Sequence, residues 1–195
     1  MHKKVLFAIS TVAISCVATT TLAHPGHADP PGGFGAGFAH PLSGLDHLLA
    51  MVVIGIWAAQ LGGRAVWAVP LSFLCVMALG ATFALNGVAP FEIEAGIAAS
   101  LLALGLLVIS ARRLPVASAA TLTGLFALFH GAAHGSELPG LADPFGYTGG
   151  FLAATAMLHV FGVAIGVLMQ RRAPALARIT GAATAVAGAI FLAAA

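Results

Sequence analysis

The sequence predicts an all-α membrane protein, a bundle of six transmembrane helices behind a cleaved N-terminal signal peptide. Three observations carry that prediction. The 195-residue chain is 60% hydrophobic and 7% charged, whereas soluble domains carry about 25% charged residues, so there is too little polar side chain to coat a water-soluble globule. Apolar residues fall into six runs, near 42–61, 65–85, 93–111, 116–135, 147–169 and 175–194, each about the 20 residues that cross the hydrocarbon core as a helix. Basic and acidic residues alternate between the connections that separate those runs.

Residues 1–23 read as the signal peptide. A basic "MHKK", an apolar "VLFAISTVAISCVA" and small residues ending "TTTLA" place cleavage after Ala23. Residues 24–195 form one transmembrane domain, opening on a Gly- and Pro-rich stretch, 24–39, that reads as a flexible exposed arm. Of the two cysteines, Cys16 leaves with the signal and Cys75 lies in an apolar run. The mature chain has no partner for an internal disulfide, and a cysteine-based metal site is excluded.

Charge sets the orientation. Arg64, Arg112, Arg113, Arg171, Arg172 and Arg178 fall in or just after the first, third and fifth connections, whereas Glu92, Glu94, Glu137 and Asp143 fall in or beside the second and fourth. Basic loops stay cytoplasmic, which puts both ends of the mature chain outside, in the periplasm of a bacterial inner membrane. The signal peptide independently demands an outside N-terminus. Glycine pairs four apart, Gly131 with Gly135 and Gly162 with Gly166, mark close helix contacts within the bundle or at a homo-oligomer face.

Ionisable side chains gather at the outer end. In "FHGAAHGSE", His130, His134 and Glu137 recur at i, i+4 and i+7, one stripe of a helix, where two imidazoles can grip one divalent cation and a carboxylate can assist. In "HPLSGLDH", His40 and His47 share a face but stand about 10 Å apart on a regular helix. One ion touches both only if the helix start is irregular, for which Pro41 and Gly44 provide the means. Asp46 either ligates or accepts the second N–H of a histidine. Met51 is a weaker ligand candidate. His159 lies deeper, near the middle of the fifth run, and is either a ligand or a hydrogen-bonded packing residue. His24 and His27, in "HPGH" after the cleavage point, are further candidate ligands; with Pro25 between them, the usual peptide-nitrogen chelate does not form. Glu92 and Glu94 read as solvated loop charges. The inner half offers only mild polar groups, such as Ser72, Ser110, Thr121 and Thr123, so an exit route is not legible.

Nitrogen and carboxylate oxygen without thiolate suit Ni, Co, Zn or Cu(II), and disfavour the all-oxygen shells of Mg and Ca. A zinc protease would want His-Glu-x-x-His, but Gly131 follows His130. A zinc hydrolase with Asp46 or Glu137 as base, a metal sensor that binds without translocating, a Ser43 nucleophile beside His47, and haem held between His47 or His130 and His159 remain as rival readings. Neither a nucleotide-binding motif nor a nucleic-acid partner is indicated.

The two motifs, His40…Asp46-His47 and Phe129-His130-Gly131…His134-Gly135…Glu137, resemble the signatures of the HupE/UreJ family, hydrogenase and urease accessory membrane proteins. The resemblance covers essentially the whole chain, including the leading "HPGH". It implies a permease, not an enzyme and without a fixed cofactor, that carries nickel, or cobalt, for hydrogenase or urease maturation. The identity of the metal comes from that resemblance alone.

Overall fold

The computed structural model describes residues 33–136 and 143–195. The predicted signal segment, His24, His27 and Glu137 lie outside the described residues. The described chain is all helix: α1 (Phe34–Ser43), α2 (Leu45–Leu61), α3 (Ala65–Leu85), α4 (Ile93–Ser110), α5 (Val116–Ser136), α6 (Pro144–Arg172) and α7 (Pro174–Ala194). Five of these, α3 to α7, are long and apolar enough to cross a membrane, and α1 with α2, bent by 84° at Gly44, passes the same test as a pair. In lipid every backbone N–H and C=O must bond within the protein, which leaves helices as the natural answer for runs this apolar.

One expectation is corrected at the start of the domain. The stretch read as a flexible arm is helical from Phe34 onward. Glycine is a poor helix former, but here Gly37 lets α1 lie directly on α6: a Cβ at Gly37 would collide with the Tyr147 carbonyl, and one at Gly150 with the Phe34 carbonyl. Tertiary packing overrides propensity. The helix ends because Gly44 adopts an extended conformation, φ −92° and ψ 118°, and the chain turns into α2. A Cβ there would stand 2.9 Å from Asp46 Oδ1 and 3.4 Å from His47 Nδ1, so any larger residue at this position presses on the Asp46–His47 pair.

Helix α2 is the hub. It touches every other helix, and it is apolar on all sides, as a helix enclosed by others must be: Met51, Ile54, Ile56 and Trp57 are wholly or almost wholly buried. The remaining helices pair through small residues. Gly162 and Gly166 of α6 pack on Val52, Gly55, Ile56 and Ala59 of α2, while Gly131 and Gly135 of α5 pack on Met77, Ala81 and Ala84 of α3. Both pairs run parallel, since residue numbers rise together along each contact. Helices α4 and α7 run antiparallel, with Gly105 against Gly181 and Gly188 against Leu101 and Ala98. Both predicted glycine pairs are therefore used inside the bundle. Large apolar side chains such as Leu71, Leu79, Leu106, Phe161 and Ile190 stay exposed on the outside, where lipid would cover them. Helix α6 opens on Pro144 at its first position, with the Asp143 carboxylate accepting from Phe145 N–H at 3.1 Å, an N-cap built in the usual way.

Candidate functional site

The bend at Gly44 folds His40, on α1, back towards His47, in the first turn of α2. Their ring centroids are 6.3 Å apart, closer than a continuous helix would allow them. Helix α5 brings His130 and His134 to the same place: His47 lies 5.1 Å from His130 and 4.9 Å from His134, and His40 lies 4.9 Å from His134. Four imidazoles from three helices thus form one cluster, in which His130 and His134 are wholly buried. Phe151 of α6 stacks on His134 at 4.5 Å with planes 9° apart, and Tyr147 packs against His40 at 6.0 Å.

Hydrogen bonding fixes which nitrogen carries the lone pair. Asp46 Oδ1 accepts from both the backbone N–H of His47, at 2.8 Å, and its Nδ1, at 3.0 Å. A carboxylate can only accept, so Nδ1 holds the proton and Nε2 presents its lone pair. Asp46 therefore stands as the orienting group of the two roles open to it. Ser100 of α4 donates to the Ile97 carbonyl at 2.6 Å and stands 3.5 Å from His130 Nε2, a long contact. Among the described residues, His47 Nε2, His130 Nδ1 and both ring nitrogens of His134 are buried without a hydrogen-bond partner. Burying an unpaired polar nitrogen costs about 1–3 kcal/mol, and native interiors leave few such atoms. The cluster has donor atoms to spare for a ligand.

The rings rest on one another rather than on a common centre. Among the described residues, no three His, Cys, Asp or Glu side chains converge as a formed metal site.

Beyond the cluster, Phe73 of α3 is wholly buried, with its ring 5.4 Å from His130 and 5.2 Å from His159. His159 donates Nδ1–H to the Thr155 carbonyl at 2.8 Å, and its Nε2 is buried and unpaired. It sits beside Gly55, eight residues after His47 and so about 12 Å farther along α2. The same buried Phe73 ring thus packs on both His130 and His159. Ser43 Oγ donates to the His40 carbonyl at 2.7 Å, so it is not poised as a nucleophile beside His47. Met51 is part of the apolar core.

A cavity of about 350 Å³ opens beside the cluster, lined by Asp46, His47, Glu94, Ala133 and Ser136 among others. Glu94 is exposed, as a solvated charge should be, but it stands in the first turn of α4 and lines the same cavity as the Asp46–His47 pair. Its position at the outer end of a span was a usable sign. Phe73, Phe151 and Ser100 gave none, because apolar and small side chains are ordinary in such helices. Of the mild polar groups of the inner half, Ser72 bonds to the Val69 and Ala120 carbonyls and to Thr123, and Ser110 to the Leu107 carbonyl.

Comparison with known proteins gives matches over nearly the whole length of the chain. The family model described as "HupE / UreJ protein" matches residues 12–191. The chain is 45% identical over 193 residues to "Protein HupE" of Rhizobium leguminosarum bv. viciae, covering 98% of each chain. No solved structure gives a significant match. With its broken first helix, its histidine cluster and this end-to-end similarity, the chain is a multi-pass membrane protein that belongs to the HupE/UreJ family.

Proposed function

We propose that the protein is an inner-membrane permease that takes up nickel, or cobalt, from the periplasm for hydrogenase or urease maturation. The observation that carries this reading is the set of buried, unpaired imidazole nitrogens drawn from α1, α2 and α5. A soft-to-borderline divalent cation satisfies such nitrogens, and rotation of the rings about their side-chain bonds would converge them on it. Glu94 and Asp46 make the flanking cavity attractive to cations, with Glu137 and the amino-terminal His24 and His27 as further recruiting groups outside the described residues. His40, His47, His130 and His134 strip water from the ion and select it. His159 receives it past Phe73, which separates the two stations.

Carrying a divalent cation inward down the membrane potential gains about 4.6 kcal/mol per 100 mV, twice the single-charge value, so no nucleotide is required. Maturation proteins for the client enzyme would collect the metal at the inner face. The metal is cargo; no resident cofactor and no catalysis are part of this reading.

The test is ⁶³Ni²⁺ uptake at submicromolar metal in a host stripped of its own nickel transporters. Wild type accumulates nickel and His130→Ala does not, at equal membrane levels of the two proteins. Equal accumulation by the two proteins refutes the assignment of these histidines.

A further inference from the structure

At the opposite end of the bundle from the histidine cluster lies a second polar cavity, of about 270 Å³, lined by Gln60 of α2, Ala111 and Arg113 after α4, Gln170 of α6, and Pro174 and Arg178 of α7. None of its lining side chains is acidic, and Arg113, Arg178 and Gln170 bring N–H donors to it, while Gln60 Nε2 donates to the Val108 carbonyl at 3.3 Å. Among the described residues no arginine pairs with a carboxylate. Asp46, Glu92, Glu94 and Asp143 all lie at the other end.

Helix dipoles do not supply the missing negative charge. Three helices, α2, α4 and α6, end here and three, α3, α5 and α7, begin here. Their partial charges of about half a unit each, opposite in sign, cancel to first order. Six guanidiniums at this end, those of Arg64, Arg112, Arg113, Arg171, Arg172 and Arg178, are left without internal compensation. One of them, Arg64, rests on the Trp67 ring at 5.7 Å. Two others, Arg113 and Arg178, reach one concave space from different segments. The α7 N-terminus beside them has no side-chain cap and no acidic residue in its first turn. Paired guanidiniums around a helix start are suited to the oxygens of a phosphoryl group.

We infer that this cavity is a binding site for a phosphoryl anion, presented by an anionic phospholipid headgroup or as free phosphate, held between Arg113 and Arg178 with an amide contact from Gln170. The inference does not depend on the transport reading, and its test uses no metal.

The full chain is purified in detergent, stripped of lipid, and titrated by native mass spectrometry with phosphatidylglycerol, with a neutral diacylglycerol of the same chains, and with phosphatidylglycerol in competition with inorganic phosphate. Wild type binds phosphatidylglycerol in preference to the neutral lipid. The double variant Arg113→Gln/Arg178→Gln loses about tenfold or more in affinity, the equivalent of at least one charge-assisted hydrogen bond. Arg112→Gln/Arg172→Gln, at the same end but off the cavity, keeps wild-type affinity. Displacement by inorganic phosphate identifies the site as open to the free ion; no displacement identifies the lipid headgroup as its occupant. Equal binding of the neutral lipid, or equal losses in the two double variants, overturns the inference, because binding would then follow acyl chains or diffuse surface charge. Matching elution profiles and melting temperatures of the three proteins exclude misfolding as the cause of a loss.

Discussion

Asp46 illustrates how much one side chain can settle. A single carboxylate oxygen takes two N–H groups of His47, and by doing so selects the tautomer in which the buried, unpartnered Nε2 carries the lone pair. Its charge also sits in the first turn of α2, where the helix dipole favours an anion. Replacing it by Asn keeps an oxygen acceptor and removes the charge. Asp46→Asn is expected to lower the apparent nickel affinity in uptake assays about 10–100-fold, the usual effect of losing a group that orients a metal-binding histidine. The same change should leave the amount of protein in the membrane unaltered. An unchanged affinity would reassign Asp46 to helix capping alone. The identities of the clustered histidines were legible in the sequence because an ionisable group in an apolar run is expensive and so has a reason to be there. Their tautomers were not, because a tautomer depends on which acceptor the fold brings near.

At the scale of helices, small residues govern how closely axes approach. A Cβ at Gly162 would collide with the Val52 carbonyl, and one at Gly55 with the His159 carbonyl, so α2 and α6 touch backbone to backbone just where His159 is held. Gly162→Leu forces the two helices apart, and overpacking of this kind costs about 1–3 kcal/mol or more. The expected outcome is a lower melting temperature and a broadened elution profile in detergent, whereas Leu168→Ala, on the exposed side of α6, changes neither. The four-residue spacing announced these contacts in advance. What spacing alone left open was the partner, another helix or another chain, and the fold answers it with helices of the same chain. The break at Gly44 was also legible, from Pro41 and Gly44. Helix α1 was not, since its glycines argue against a helix until α6 is there to pack on.

For the whole molecule, the alternation of charge is the main guide to orientation. Arginines gather at one end of the bundle and the described carboxylates at the other, so the proposed topology makes a direct prediction for a chain in which Cys75 has been replaced by serine. A cysteine at Ser136 reacts with a membrane-impermeant maleimide in intact cells, and a cysteine at Arg112 reacts only after the membrane is opened. The reverse pattern would invert the proposed direction of transport. Apolar runs of about 20 residues made the bundle legible because lipid leaves the backbone so few alternatives. The packing order of the helices, with α2 at the centre and α3 beside α5, was not, because it depends on contacts between residues far apart in sequence.

The bend between α1 and α2 has a consequence for biosynthesis. A nascent chain that has inserted only its first three spans carries His40 and His47 but neither His130 nor His134, and α1 still lacks its main packing partner, since Tyr147 and Gly150 arrive only with α6. The cluster is therefore completed late, when most of the chain is already in the membrane. An immature intermediate presents isolated imidazoles in place of a chelating group, so it is a poor trap for stray metal while the protein is being made.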